Sequence, residues 1–153
     1  MIDYLRKHEK LLNVILFLNE AITKITYVTY ILLVIIKLLT APLEAVKVLY
    51  VAGMPYVILS VFRAVINMKR PYEVHRFTPL IKRKSNGKSF PSRHVFSIFI
   101  IATLLYFQCA WIGIVFFILG VILAIIRVIT GVHFWYDVVA GAIIGVVSAV
   151  LLW

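Results

Sequence analysis

Four places in the sequence set arginine, histidine or carboxylate side chains against strongly apolar stretches, where a charge is costly and asks for a reason. Arg63 and Arg70-Pro71 lie close to two helical turns apart, so both would project from one face if a helix ran through them. Pro91-Ser92-Arg93-His94 opens one apolar stretch, and Arg127 closes another. His133 and Asp137 follow at i and i+4, the spacing that puts two side chains on one helix face. Guanidinium forks match phosphate oxygens two at a time and spread the charge of a phosphoryl-transfer transition state. One histidine can attack phosphorus, and a second can protonate the leaving oxygen. A carboxylate on the nucleophile's other ring nitrogen would fix its tautomer. After Glu73 the only acidic residue is Asp137, whereas a two-metal phosphoryl-transfer site needs several carboxylates. The chemistry expected is therefore phosphate hydrolysis with no metal and no cofactor.

The elements that must position these groups are membrane helices. Of the 153 residues, 63% are hydrophobic and 14% charged, against about 45–50% apolar in soluble domains. Such an apolar excess cannot be covered by polar surface in water, which excludes a soluble enzyme and a disordered tail. Sixteen Lys and Arg against six Asp and Glu give a net charge of +10. Because the basic residues fall between apolar spans, the expected partners are membrane lipids and a phosphorylated lipid, not nucleic acid. The lone Cys109 can make no internal disulfide. Oligomeric state has no signal in the sequence.

Hydropathy predicts one all-α domain over residues 1–153: a bundle of five transmembrane helices, with an amphipathic surface helix before them. The surface helix is expected from Ile2 to about Asn19, where Arg6, Lys7, Glu9, Lys10, Asn13 and Asn19 interrupt the leucines and isoleucines. A six-span alternative would make this segment cross as well, and its charge density argues against that. Its first ten residues carry the charges of a signal sequence without a small-residue cleavage site, so no cleaved leader is expected. The spans are predicted at Ala21–Leu39, Leu43–Met68 with Pro55 a kink, Val95–Cys109, Trp111–Thr130 and Tyr136–Trp153. Between the second and third lies a basic loop, Lys69–Arg93, turning at Ser85-Asn86-Gly87. Its Lys82-Arg83-Lys84 run is expected to face water or headgroups. Trp111, Trp135 and Trp153 fit interfacial positions, and Gly141 and Gly145 form a small-xxx-small face for close helix packing. This topology brings the basic loop and the Gly131–Trp135 turn, with every candidate reactive group, to one membrane side.

Taken in order, Arg63-x6-Arg70-Pro71, Pro91-Ser92-Arg93-His94 and Arg127-x5-His133-x3-Asp137 resemble the three-part signature of the type 2 phosphatidic acid phosphatase (PAP2) superfamily. The resemblance implies a membrane phosphatase acting on a lipid phosphate or diphosphate through a phosphohistidine, with an undecaprenyl-diphosphatase-like substrate the first candidate. It implies that His133 is the nucleophile, Asp137 its partner and His94 the general acid. Arg63, Arg70 and Arg127, with Ser92, would bind phosphate. The chain departs from the family pattern in three places. Arg63 replaces the usual Lys, Ile126 the usual Ser, and Arg93 the usual Gly, the last placing an extra cation where a diphosphate carries its second group. The chain is also expected to lack the first span of longer bacterial members.

Singly, each of these residues has a plainer reading: a snorkelling arginine, a helix-start carboxylate, a serine cap. Their joint occurrence on one membrane side favours an enzyme over a lipid-binding scaffold. A transporter would hold its polar groups at mid-membrane. Only Lys37 and Lys47 flank the opposite loop, so a positive-inside count puts the site in the cytoplasm. The family resemblance implies the outer face of the cell membrane, which is the expectation adopted.

Overall fold

The structure, a computed structural model, describes residues 2–81 and 86–153. The expectations for Lys82-Arg83-Lys84 and for Ser85 fall outside the described residues. The described chain is all helix and loop: α1 (Ile2–Lys7), α2 (Glu9–Thr40), α3 (Pro42–Ile66), α4 (Pro71–Val74), α5 (Arg93–Gln108), α6 (Ala110–Ile129) and α7 (Trp135–Leu152). Helices α2, α3, α6 and α7 are long and apolar enough to cross a membrane, and α5 is a shorter apolar helix. The protein is an all-α integral membrane bundle of these five apolar helices.

Helix α5 is the axis of the bundle. Ten of its 16 residues are buried, from Val95 to Leu105, and α6 and α7 pack along it with α2 and α3 beyond. At about 1.5 Å per residue it spans only about 24 Å. Inside the ring of its neighbours it needs no lipid-matched length. Lipid gives apolar helices little reason to associate, so close backbone approach must hold them together. Gly141 and Gly145 provide that approach for α7. A Cβ at Gly141 would come within 2.7 Å of Ser92 O, and one at Gly145 within 2.8 Å of Phe96 O.

The N-terminal segment differs from the sequence expectation. The surface helix is only α1, ending before His8, and residues 9–19 continue directly into α2 as one 32-residue helix. No glycine or proline occurs between Glu9 and Thr40 to stop it. Ile15 and Ile22 are buried on its inner face, while Glu20 and Lys24 pair at 2.6 Å on the exposed one. At about 48 Å, α2 outreaches the roughly 30 Å hydrocarbon layer. Its extra turns stand at the membrane side that carries the basic loop. There Leu5 and Ile15 pack on Ile126 of α6, and Arg6 Nη2 donates to Thr78 O at 2.5 Å.

Candidate active site

Helix α3 ends at Asn67, which caps it in the left-handed region at φ 46°. Arg70 follows as the extended residue before Pro71, a position that proline bars from the helical region. The helix therefore does not run from Arg63 to Arg70, contrary to the same-face expectation. The two arginines converge for a different reason: both donate into the backbone of residues 87–89. Arg63 Nη1 donates to Ser89 O at 2.9 Å, and its Nη2 donates to Lys88 O. Arg70 Nε donates to Gly87 O at 2.9 Å, Nη2 to Lys88 O at 3.4 Å, and Nη1 to Val132 O at 3.1 Å in the turn before α7.

Glu73, unassigned by the sequence, holds this loop in place. Its Oε2 accepts from Arg70 N at 2.9 Å and from Gly87 N at 2.8 Å. Gly87 turns the chain at φ 66°, and a Cβ there would collide with Asn67 Oδ1.

Arg127 occupies the last turn of α6 and is 1% exposed. Its carbonyl accepts from Val132 N at 3.3 Å and His133 N at 3.2 Å, closing the turn, while Nη1 donates to Asn19 Oδ1 of α2 at 3.2 Å. His133 lies in that turn, one residue before the cap of α7, and so not on the helix as the i, i+4 spacing suggests. The pair forms all the same, because Asp137 is in the first turn of α7 and reaches back over the helix start. Its Oδ2 accepts from Phe134 N at 2.9 Å and Ser89 Oγ at 2.5 Å and faces His133 Nδ1 at 3.3 Å. With Nδ1–H directed at a carboxylate, Nε2 keeps the ring's lone pair.

Burial holds the His133 imidazolium well below the ordinary histidine pKa. The nearby Arg70 and Arg127 charges push the same way, and the Asp137 hydrogen bond opposes them. This direction favours the neutral ring.

Ser92, fully buried at the start of α5, donates its N–H to Asp137 O at 2.9 Å, locking the starts of α5 and α7 together. Neither Ser92 Oγ nor Asp137 Oδ1 has a hydrogen-bond partner among the described residues. His94 is the second residue of α5 and borders a cavity of about 530 Å³ shared with Leu16, Asn19, Glu20 and Thr23 of α2. Arg93 is exposed, with its guanidinium 5.9 Å from the Tyr56 ring centroid and its charge acting on Arg70. Arg63, Arg70 and Arg127 are 4%, 4% and 1% exposed, against the single fully buried carboxylate of Asp137. Concentrating buried cations this way is expensive unless an anion compensates them. Among the described residues, no three His, Cys, Asp or Glu side chains group closely enough to hold a metal ion.

Sequence reasoning missed Ser89, Glu73 and Asn19. Ser89 stands just ahead of the Pro91-Ser92 motif, so proximity to it was the available signal. Glu73 and Asn19 had none.

The sequence pattern of the PAP2 superfamily matches residues 44–153, which contain the arginines, histidines and Asp137 described above. The chain belongs to the PAP2 superfamily. Its fold is shared with LpxE of Aquifex aeolicus, at 23% identity and a TM-score of 0.70 over 94% of this chain and 93% of that one. It is also similar to a transmembrane PAP2-type phosphatidylglycerolphosphate phosphatase from Bacillus subtilis. That match has 27% identity and a TM-score of 0.65 over 89% of this chain and 75% of that one. No curated protein sequence matches the chain.

Proposed function

We propose that the protein hydrolyses a lipid phosphate or diphosphate through a phosphohistidine, without metal. The observation that carries this reading is the buried pair of His133 Nδ1 and Asp137 Oδ2 at 3.3 Å, set among Arg63, Arg70 and Arg127. His133 Nε2 attacks phosphorus as the bond from phosphorus to the leaving oxygen breaks, and His94 supplies that oxygen's proton. Water, giving a proton to His94, then attacks the phosphohistidine and releases inorganic phosphate, restoring both histidines. The three arginines and the Ser92 hydroxyl hold the phosphoryl oxygens throughout. A polyprenyl diphosphate is the first candidate substrate. The likeness to the Bacillus subtilis enzyme favours phosphatidylglycerolphosphate as the second, and phosphatidic acid is the third.

The test is phosphate release from purified protein against these lipids, with and without EDTA, together with trapping of radiolabelled phosphohistidine by an alkaline SDS quench. Turnover that survives EDTA, is blocked by vanadate and yields an acid-labile adduct lost in His133→Ala is the expected result. Chelation that abolishes activity, with recovery on adding magnesium, overturns the metal-free mechanism.

The site is further proposed to face the outside of the cell membrane. Arg63, Arg70 and Arg127 are buried and so do not belong in a count of loop charges, which weakens the positive-inside argument for the cytoplasm. Cys109, exposed between α5 and α6, stands at the end of the bundle opposite the site. With an outward-facing site, an impermeant maleimide labels Cys109 only after intact cells are permeabilised. Labelling before permeabilisation reverses the orientation.

A further inference from the structure

The family match begins at residue 44, yet the site draws on a side chain well before it. We propose that Asn19 is a positioning residue of the phosphate site, aiming the Arg127 guanidinium through a neutral acceptor. The proposal rests on the phosphatase reading above and extends it to α2.

Asn19 Oδ1 accepts from Arg127 Nη1 at 3.2 Å, across 108 residues of sequence. A guanidinium carries several N–H donors in a rigid plane, so one fixed acceptor restricts where the others point. The chemical nature of that acceptor matters as much as its place. A carboxylate would pair with the cation and compete with phosphate for it. A neutral amide oxygen orients the group without cancelling the charge. Arg63 and Arg70 are held in the same manner by the backbone carbonyls of residues 87–89 and 132.

The neighbouring carboxylate, Glu20, is turned to the exposed face of α2, where it pairs with Lys24. The backbone carbonyl of Asn19 accepts from Thr23 Oγ1 at 2.7 Å. One turn earlier, Ile15 packs with Leu5 on Ile126, the residue beside Arg127, which seats this part of α2 against the end of α6. Asn19 also borders the cavity reached by His94.

The full-length chain in detergent tests this with Asn19→Leu, which loses the acceptor at similar volume, and Asn19→Asp, which keeps the oxygen and adds a charge. The probe is vanadate, read as the concentration that half-saturates its thermal stabilisation of the protein, alongside kcat and KM on one lipid phosphate. Asn19→Leu is expected to raise the half-saturating vanadate concentration about tenfold, the size of one hydrogen bond to a charged group. Asn19→Asp is expected to raise it further, because its carboxylate competes with vanadate for Arg127. If Asn19→Leu does not fold, the Asp variant carries the test. A half-saturating vanadate concentration equal to wild type in the Asp variant overturns the proposal. Hydrolysis by wild type with both variants unchanged overturns the role of Asn19 alone. Vanadate binding that depends on Asn19, in a wild type that releases phosphate from no lipid, supports the positioning role and overturns the phosphatase reading. Absence of vanadate binding to wild type overturns both.

Discussion

Ser89 Oγ donates to Asp137 Oδ2 at 2.5 Å, on the same oxygen that faces His133 Nδ1 at 3.3 Å. Ser89 belongs to the loop that the arginines grip, since its carbonyl accepts from Arg63. One residue therefore links the loop held by the arginines to the histidine–carboxylate pair. Ser89→Ala is expected to lower kcat about 10- to 100-fold, matching the roughly 1.5–3 kcal/mol of a hydrogen bond to a charged group, while KM changes little. Steady-state kinetics on a single lipid phosphate checks this. A raised KM with unchanged kcat would place Ser89 with the phosphate and not with Asp137.

His133→Ala and His94→Ala are both expected to stop turnover of lipid substrate, for different reasons. Without His133 no covalent intermediate forms. Without His94 the attack remains possible, but the leaving alkoxide lacks a proton. An aryl phosphate, whose leaving group needs no acid, is expected to restore part of the activity of His94→Ala and none of His133→Ala. Equal rescue of the two variants would dissolve the assignment of roles.

Arg93 is expected to have no part in choosing between substrates. Its departure from the family pattern and its charge suggest a contact with a second phosphate group, whereas its guanidinium lies 5.9 Å from the Tyr56 ring centroid on α3. Arg93→Gly should therefore leave the ratio of kcat/KM for a diphosphate and a monophosphate lipid of the same chain within about twofold of wild type. A selective loss on the diphosphate of about 5- to 150-fold, the range of a charge-assisted hydrogen bond, would return Arg93 to the phosphate site.

Gly141→Ala is expected to damage the site through the backbone. Its Cβ would press on Ser92 O at 2.7 Å, beside the Ser92 N to Asp137 O bond that joins α5 to α7. Overpacking of this kind costs about 1–3 kcal/mol, so both the melting temperature in detergent and kcat should fall. Gly53→Ala in α3 is the control, because a Cβ there meets nothing within 4 Å. Equal effects of the two substitutions would remove close α5–α7 approach from the explanation.

Sequence alone determined the membrane spans and the residues worth watching. Four of the five apolar helices, α3 and α5 to α7, begin and end within two residues of the positions read from hydropathy, because a membrane helix must keep its apolar run unbroken while its flanks carry the charge. The candidate groups stood out because arginine, histidine and aspartate are costly beside lipid. Three matters were decided only by the fold. Arg63 and Arg70 meet through shared backbone carbonyls and not through a shared helix face, since Asn67 and Pro71 end the helix between them. The break near the N-terminus falls at His8, so α2 runs on past the bilayer. Ser89, Glu73 and Asn19 bring oxygen acceptors or donors to the charged residues from loops and a helix distant in sequence. Such partners leave no periodic or spacing signal. A hydrogen bond across 108 residues depends on where two helices come to rest, and only the packed bundle sets that distance.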